Sequence, residues 1–423
     1  MNILILGSGG REHTFCWKLS QSPKCKKLYV SPGNAGTAAI ATNLGIPVLD
    51  FKSIKVAVIK NNIQMVVVGP EAPLVDGIKE FFQFDSDLSK VSLIGPNSEA
   101  AKLEGSKSFA KKFMSKYKIP TAKYSEFTSS SLSQAFKFLE TMSPPYVLKA
   151  DGLAGGKGVL IIENIDKAKK ELKSMLINKK FGKASQKVVI EEFLNGIELS
   201  CFIISDGKTG ITFPMAKDYK RIGEGDSGLN TGGMGAVSPV PFVDIEFEKK
   251  INKKIIKPTL RGLKSENMLY QGFIFIGLIN VNGEPMVIEY NVRMGDPETE
   301  VVIPRIKNDF VSLFQAVSNQ NLKTIKLKID KRVAATVMSV SGGYPEKYNK
   351  GYTIKGLENV KDAIVFHSGT ILEGDKVVTH GGRVLTLTGL GDSMQEALEK
   401  SYKGLKKIQY KEMYYRKDIG FDL

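Results

Sequence analysis

The chain has 423 residues, of which 42% are hydrophobic and 25% are charged. This composition is typical of a globular protein, excludes a disordered or fibrous chain, and at this length predicts two to four domains. No apolar run reaches the roughly 18 residues of a membrane span, and the first residues already read as a strand, so we expect neither a membrane anchor nor a leader peptide.

The first part of the chain alternates short apolar segments with helical stretches, which predicts a doubly wound parallel sheet. A glycine-rich segment, residues 7–10, follows the first strand, at the end of such a sheet where phosphates bind. Because position 12 is Glu12, it does not complete a Gly-x-Gly-x-x-Gly motif, and a nicotinamide enzyme is the weaker interpretation. The predicted strands lie at residues 3–6, 28–30, 65–68 and 92–94.

A glycine-rich turn, residues 150–158, joins two short apolar segments, 145–149 and 159–162. Glycines let backbone N–H groups approach anionic oxygens, so such a turn can fold over a triphosphate. It is not a P-loop, since it lacks the Gly-Lys-Ser/Thr ending and leads into a strand rather than a helix. Lys149, at the end of the first segment, can reach the phosphates as a point charge. A plain β-hairpin turn is the alternative interpretation.

A third polar segment follows a strand that begins at Val188. Backbone groups of residues 191–194 can hydrogen-bond an adenine edge, and Phe193 and Leu194 can flank the base. Glu198 can accept the ribose hydroxyls. An ordinary polar turn after a strand is the alternative for this segment taken alone.

A carboxylate and an amide, Glu289 and Asn291, stand two residues apart at the end of an apolar run. In a strand, residues i and i+2 face the same side, so both side chains point into one cavity. Two hard oxygen donors on a rigid strand suit Mg²⁺ bound to nucleotide phosphates. Arg293, Asp296 and Glu298 follow and add a cation and two acceptors. An edge strand ending in a polar turn is the alternative.

The glycine-rich turn 150–158, the polar segment 191–198 and the segment 289–298, in this order and spacing, resemble the ATP-grasp superfamily. Within it, the chain is similar to the glycinamide ribonucleotide synthetase family, whose members are phosphoribosylamine-glycine ligases. Family members usually carry aromatic residues where this chain has Tyr290 and Met294. The second position departs from that pattern, which affects the packing of the pocket rather than its ligands. The matching segments are residues 5–13, 31–37, 68–75, 102–107, 149–158, 230–236 and 342–345.

The resemblance implies an α/β fold in three domains. Residues 1–103 would form the N-terminal doubly wound parallel sheet domain, which binds phosphoribosylamine. Residues 104–330 would form the ATP-grasp domain, with a lid subdomain at about 123–190. Residues 331–423 would form a small mixed α/β C-terminal domain, in agreement with their short strands and glycine turns.

The implied reaction joins glycine to 5-phosphoribosylamine in purine biosynthesis, with ATP and Mg²⁺ or Mn²⁺. The γ-phosphoryl group passes to the glycine carboxylate, and the amine then displaces phosphate from glycyl phosphate. Glu289 and Asn291 would hold the metal ion. The implied catalytic residues are Arg293, Asp218 and Asn230.

The resemblance also implies two sets of binding residues. A ribose 5-phosphate would dock on the segment 7–10 with help from Asn34. The nucleotide set is Lys107, Lys149, Gly155, Gly156, Lys157, Gly158, Glu191, Glu192, Phe193, Leu194 and Glu198. The substrate set is Gly9, Gly10, Arg11, Asn34, Asp218, Thr231, Gly232, Gly233, Arg293, Asp296, Pro297 and Glu298.

The net charge of +16 raises an alternative of another class, a nucleic-acid-binding protein. Lysines in residues 102–118 and 400–417 can form basic helix faces. Against this, basic residues are spread along the chain and no zinc-finger, RRM or KH signature appears, so we expect no nucleic-acid partner. Another ATP-grasp carboxylate-amine ligase is the nearer alternative. Three cysteines without metal-binding spacing are typical of a reducing cytoplasm, where we expect a monomer.

Overall fold

The computed structural model describes residues 1–155 and 158–423. In the N-terminal part, short strands alternate with helices, and the four strands predicted there are confirmed. Their apolar side chains are buried on both faces, as parallel strands covered by helices require. The elements are β1 (Asn2–Gly7), α1 (Gly10–Ser20), β2 (Lys27–Pro32), α2 (Ala35–Ala38), β3 (Thr42–Asn43), α3 (Phe51–Lys60), β4 (Ile63–Val68), α4 (Glu71–Val75), α5 (Ile78–Phe84), β5 (Ser92–Pro96), α6 (Ser98–Gly105) and α7 (Lys107–Lys116).

The segment predicted as a lid forms a small antiparallel sheet with two helices against it. The strand order is β6-β9-β7-β8. A core of its own, which includes Leu148, Leu172 and Ile190, lies between the sheet and the helices. The elements are β6 (Tyr124–Thr128), α8 (Leu132–Glu140), β7 (Tyr146–Ala150), β8 (Val159–Ile162), α9 (Ile165–Leu176) and β9 (Lys187–Glu192).

The rest of the chain contains long antiparallel strands and a C-terminal sheet. The elements up to residue 318 are β10 (Ile197–Asp206), β11 (Gly210–Thr212), β12 (Lys217–Asp218), β13 (Arg221–Gly223), β14 (Ser227–Asn230), β15 (Gly235–Ser238), α10 (Ile245–Ile251), α11 (Lys257–Ser265), β16 (Tyr270–Val281), β17 (Glu284–Asn291), α12 (Thr299–Val302) and α13 (Phe310–Ser318). The last elements are β18 (Val333–Val340), β19 (Ile364–His367), β20 (Thr370–Glu373), β21 (Lys376–Thr379), β22 (Arg383–Gly391) and α14 (Met394–Leu405).

Among the described residues, nine strands form one sheet that crosses the predicted boundary at residue 103. Its order is β11-β10-β16-β5-β4-β1-β2-β3, with β17 also paired to β16. The strands from β5 to β3 are parallel, whereas β16 pairs antiparallel with β5, β10 and β17. Two apolar cores lie on the two faces of this sheet. The N-terminal sheet and the strand of Glu289 are therefore one hydrogen-bonded unit.

The C-terminal sheet likewise takes strands from both sides of the predicted boundary at residue 330. Its order is β12-β15-β18-β22-β19. Because β12 and β15 belong to it, the polar loop between them is held against the C-terminal part. The domain limits at 103 and 330 stay predictions.

Two further observations concern helices. The second lysine-rich stretch, residues 400–417, is helical only as far as Leu405, so it does not form the continuous basic helix face that its composition suggested. Among the described helices, none is both long and apolar enough to cross a membrane.

We expect Phe314→Ala to lower the free energy of unfolding by about 3 to 5 kcal/mol. Phe314 is fully buried, and its ring contacts those of Phe15, Phe273 and Phe310, so the truncation leaves a cavity beneath the large sheet. Phe84→Ala is the control: this side chain is 81% exposed, and its loss should change stability by no more than about 0.5 kcal/mol. Urea unfolding of both variants measures the difference; equal losses would contradict this description of the core.

Candidate active site

Glu289 and Asn291 lie at the end of β17, opposite Gly277 and Phe275 of β16. A β-bulge just before Glu289 shifts the register of β17 against β16, and the two side chains then follow at the spacing that places them on one face. Asn291 is buried, and its Nδ2 atom has no hydrogen-bond partner among the described residues. Glu289 Oε2 lies 3.1 Å from Lys107 Nζ. The predicted pair is therefore brought together at the base of a cleft.

The charge state of Glu289 suits a divalent cation. Burial raises the pKa of this carboxyl, but the charges of Lys107, Lys149 and Lys220 outweigh burial and lower the pKa to about 2. An ionised carboxylate and a buried amide with an unpaired polar atom fit a hard metal ion. No group of three His, Cys, Asp or Glu side chains able to hold a metal occurs in the described part of the chain. A metal here would need further oxygen ligands, such as those of nucleotide phosphates.

A second carboxylate, Glu191, holds two lysines in the same cleft. Its Oε2 atom lies 2.9 Å from Lys149 Nζ and 3.1 Å from Lys111 Nζ. Lys149 also donates to the carbonyl of Ile288, at 3.3 Å. Burial lowers the pKa of Lys111 to about 8 in spite of Glu191. Lys149 was predicted and Lys111 was missed, because only its position on α7 reveals that it faces the cleft.

The residues predicted to bind adenine, 191–194, lie in two different settings in the structure. Glu191 lies in the middle of its small sheet, where its backbone pairs with Tyr124 and Val147. The backbone N–H of Glu192 donates to the carbonyl of Lys123. Free backbone edges for an adenine are therefore expected only from Phe193, which is 41% exposed, and Leu194.

The glycine-rich turn leads from β7 into β8 as expected, and Lys149 lies in the β7 strand before it. Gly155 has a φ of +55°, which only glycine adopts readily, while a Cβ on Gly158 would lie 2.9 Å from Ala154 Cβ. The predicted residues Gly156 and Lys157 lie outside the described residues.

A cluster of acidic groups around one lysine forms the next part of the cleft. Lys220 is ion-paired with Glu198 and lies 3.9 Å from Asp218. These two carboxylates raise the pKa of Lys220 well above its usual value, although burial alone would lower it. Glu198, predicted to bind ribose, thus has a cationic partner in this structure. Lys220 was not singled out from the sequence.

Glu298 is buried beside Asp218 and is held by a hydrogen bond from Ser200 Oγ, at 2.9 Å. Burial and the neighbouring charge of Asp218 raise the pKa of Glu298 to about 7. Two buried carboxyls side by side share a proton more readily than they hold two charges. This pair can therefore bind an amino group or accept its proton near neutral pH.

Arg293 lies between two carboxylates that the sequence did not indicate. Its Nη2 atom is 2.8 Å from Glu104 Oε1, and its Nε atom is 3.3 Å from Glu71 Oε2. Glu104 also accepts the backbone N–H of Val292, at 2.7 Å. The guanidinium is thus fixed at the end of β17, next to Glu289.

Two carboxylates accept hydrogen bonds from backbone N–H groups at the N terminus of α1. Glu12 Oε2 accepts the N–H of Gly9 at 2.6 Å, and Asp296 Oδ2 accepts the N–H of Arg11 at 3.1 Å. An anion docked here would take these donors from the two carboxylates. Asn34 donates to the carbonyls of Ser8, at 2.9 Å, and His367, at 2.8 Å, so it fixes the loop to the C-terminal part.

The loop that contains Asn230, Thr231 and Gly232 is held by a residue of the C-terminal sheet. Arg383 Nη1 donates to the carbonyls of Gly232 and Asp296, both at 2.6 Å. Its Nη2 atom lies 2.9 Å from Asp296 Oδ1. Arg383 stands in a Gly-Gly-Arg strand start that the sequence marked only as a strand, so its role was missed.

Two glycine contacts show how closely these loops pack. Gly233 has a φ of +119°, and a Cβ there would lie 2.4 Å from Pro297 Cδ. A Cβ on Gly10 would lie 2.2 Å from an oxygen of Glu300, a buried carboxyl whose pKa burial raises well above its usual value. Predicted substrate residues of the N-terminal and central parts therefore lie together, and Arg383 of the C-terminal part joins them, while Asn230 itself is exposed.

Three family models match this chain along almost its whole length. The model described as phosphoribosylglycinamide synthetase, N domain, matches residues 1–104. The ATP-grasp (A) domain model of the same name matches residues 105–299, and the C domain model matches residues 334–422.

Curated relatives of similar length resemble the chain closely. The phosphoribosylamine-glycine ligase of Fusobacterium nucleatum is 45% identical over 99% of this chain and 98% of the relative. The protein of the same name from Caldanaerobacter subterraneus is 42% identical over 99% of both chains.

Two solved structures are similar to this chain, and the first is of a protein with the same name as these relatives. The crystal structure of phosphoribosylamine-glycine ligase from Thermotoga maritima has a TM-score of 0.86 and 35% identity, and covers 99% of this chain and 100% of its own. A biotin carboxylase domain from Hydrogenobacter thermophilus, crystallised with MgADP, has a TM-score of 0.71 at 14% identity, over 98% of this chain and 91% of its own. That likeness shows the shared fold alone.

We expect the stability of a Glu298→Gln variant to rise relative to that of the wild type as the pH rises. In the folded protein Glu298 keeps its proton up to about pH 7, whereas in the unfolded chain it releases the proton at its usual pKa of 4.5. Its contribution to stability is therefore complete below the unfolded pKa and is lost as the pH rises through the folded one.

Between about pH 5 and about pH 8, the free energy of unfolding of the variant should rise by roughly 2 to 3 kcal/mol relative to that of the wild type. Urea unfolding at both pH values measures this gain. Glu163→Gln, at an exposed position, is the control and should show no such change. A pH-independent difference between the Glu298 variant and the wild type would show that this carboxyl does not titrate as described.

Proposed function

The chain belongs to the phosphoribosylglycinamide synthetase family, and we propose that it ligates glycine to 5-phospho-D-ribosylamine at the expense of ATP. The products are glycinamide ribonucleotide, ADP and phosphate, in the purine biosynthetic route. The observation that carries this proposal is the half-buried carboxylate of Glu289, which is close to two lysines and shares its strand with Asn291. A carboxylate, an amide and two lysines together suit a metal-bound triphosphate. The neighbouring carboxyls of Asp218 and Glu298 suit amines.

In the first step, a carboxylate oxygen of glycine attacks the γ-phosphorus of ATP, and the bond to the β–γ bridging oxygen breaks. Lys107 and Lys149 hold the phosphates, and Arg293, fixed by Glu104 and Glu71, faces the transferred group. Charges held in place before reaction stabilise the transition state without reorganisation. Glu289 and Asn291 would hold a divalent cation, Mg²⁺ or Mn²⁺, which would supply positive charge to the phosphates.

In the second step, the amine nitrogen of phosphoribosylamine attacks the acyl carbon of glycyl phosphate. The carbon–oxygen bond to phosphate breaks, and the nitrogen loses a proton. We assign the binding of the amino groups, and the acceptance of this proton, to the Asp218–Glu298 pair. Asn230, Thr231, Gly232 and Gly233 would complete the pocket, and the glycine-rich turn would exclude water from the acyl phosphate.

The 5-phosphate of phosphoribosylamine would dock at the N terminus of α1, near Gly9, Gly10 and Arg11. A helix N terminus offers N–H donors and a positive dipole end to such an anion. The phosphate would take the places now held by Glu12 and Asp296 on the backbone donors. Adenine would lie against Phe193 and Leu194, with ribose near Glu198.

We place this reaction in the cytoplasm and propose that one chain suffices for it. The three cysteines are free, as is typical of a reducing compartment. Phosphate release from ATP, measured with a panel of amino acids with and without fresh phosphoribosylamine, tests the substrate assignment. Stimulation by another acid would favour a sister ATP-grasp ligase, and tight, salt-dependent RNA binding without ATPase activity would favour a nucleic-acid-binding protein.

We expect Glu289→Gln and Asn291→Ala to abolish most turnover while leaving the fold intact, because each variant removes a residue that would hold the divalent cation. Circular dichroism and phosphate release measure fold and activity together. Glu284→Gln is the matched control: it lies at the exposed start of the same strand and pairs with Lys250 and Lys254. Near-normal activity of the Glu289 variant at limiting Mg²⁺ would remove this residue from the site.

We expect Gly9→Val to raise the KM for phosphoribosylamine strongly and to leave ATP binding nearly unchanged. A Cβ at Gly9 would lie 3.0 Å from both Asp296 Oδ2 and Glu12 Oε2, and the larger side chain blocks the approach of an anion. Gly158→Val, in the glycine-rich turn, should weaken ATP and spare phosphoribosylamine.

Titration of both variants with ADP and with glycinamide ribonucleotide separates the two effects. Equal losses of both ligands in both variants would indicate general misfolding. A loss of nucleotide binding in the Gly9 variant alone would make the N-terminal loop a nucleotide site.

A further inference from the structure

A cavity outside the candidate active site is built around a buried lysine. It has a volume of about 260 Å³ and lies between α5, the turn before β5, and the start of β16. Lys79 lines it and is only 9% exposed. None of the residues assigned to the reaction lines this cavity. It is therefore a separate feature of the fold.

The hydrogen-bond partners of the Lys79 ammonium group are both neutral. Its Nζ atom donates to the carbonyl of Leu93 at 2.7 Å and to Gln271 Oε1 at 3.2 Å. The amide of Gln271 is oriented by two bonds from its nitrogen to the carbonyls of Val317 and Ser318, both at 3.2 Å. An ammonium group has three donors, so one N–H of Lys79 has no partner in this set.

The other polar groups of the cavity include a further hydrogen-bond donor and a second positive charge. Ser318 Oγ is buried and has no hydrogen-bond partner in the part of the chain that the structure describes. Lys90 adds a second positive charge at the exposed side of the cavity. Among the described residues that line the cavity, none is acidic. Burial lowers the pKa of Lys79 to about 8, although the charge of Glu80 acts against this; the two residues form no ion pair among the described residues, and a buried cation without a direct partner is costly.

We propose that this cavity binds a small organic anion, a carboxylate or a phosphate. The anion would accept hydrogen bonds from Lys79 Nζ and Ser318 Oγ and would be drawn in by Lys90. The volume suits a ligand of a few heavy atoms beyond the anionic group, with Phe82 and Leu88 as an apolar wall. The ligand would compensate the charge that the fold leaves unpaired.

The test is thermal unfolding of the full chain in acetate, malonate or inorganic phosphate, with ionic strength held constant by chloride. A ligand that binds only the folded state raises Tm with concentration, which gives an apparent Kd for each probe. We expect at least one probe to raise the Tm of the wild type. In Lys79→Met the apparent Kd for that probe should increase at least about ten-fold, which corresponds to the loss of one charge-assisted contact.

Three further variants keep the test decisive. Lys90→Glu and Ser318→Ala change the cavity without removing the buried lysine, and both should weaken the same probe even if Lys79→Met fails to fold. Lys60→Met changes an exposed lysine on α3 and should behave as the wild type does. Phosphate bound at the reaction site would stabilise all variants equally, so that signal is recognisable.

The proposal is overturned if no probe stabilises the wild type, or if every probe stabilises the cavity variants and the Lys60 variant equally. In that case Lys79 would be a structural residue that joins β5 to β16. The outcome is independent of the proposed reaction, because none of these variants touches the residues assigned to it.

Discussion

The structure depends on the pairing of β16 with three other strands. Along one edge it is hydrogen-bonded to β10, and along the other to β5 at its start and to β17 further on. The contact with β5 requires glycine, since a Cβ on Gly272 would lie 3.0 Å from Gly95 Cα. Because the parallel N-terminal strands and the strand of Glu289 share β16, the N terminus of α1 and the proposed metal ligands are fixed relative to each other. A ligase that joins a phosphorylated amine to an acyl phosphate needs this fixed distance.

Within that frame, the cleft is organised by charge compensation. Glu289 faces Lys107, Glu191 holds Lys149 and Lys111, and Glu198 and Asp218 surround Lys220. The Glu191 group is buried, where charges are tolerated only when they are paired and hydrogen-bonded, and the other carboxylates likewise keep a cation in position. The same cations can then receive phosphate oxygens without moving far. The acidic pair Asp218 and Glu298 lies beside Lys220 and offers a site for amines.

Local patterns in the sequence predicted many of the elements and many of the residues that the structure brings together in the candidate site. Apolar segments followed by glycines predict the parallel strands and the turn after Lys149, and the two-residue spacing of Glu289 and Asn291 predicts that they share one face of β17. Partners distant in sequence were not predictable: Glu71 and Glu104 on Arg293, Lys220 on Glu198, and Arg383 on Gly232. These contacts arise from the packing of separate elements, and neither spacing nor periodicity encodes them. The sharing of two sheets across the predicted boundaries has the same origin, since strand order is not visible in one sequence.

The central claim is that the cleft activates a carboxylate by phosphorylation. The most direct measurement uses glycine labelled with oxygen-18 in its carboxylate, in a reaction with ATP and phosphoribosylamine. Activation through glycyl phosphate transfers a carboxylate oxygen to the released phosphate, so mass spectrometry should find one labelled oxygen per phosphate formed. Unlabelled phosphate, formed together with glycinamide ribonucleotide, would contradict the account.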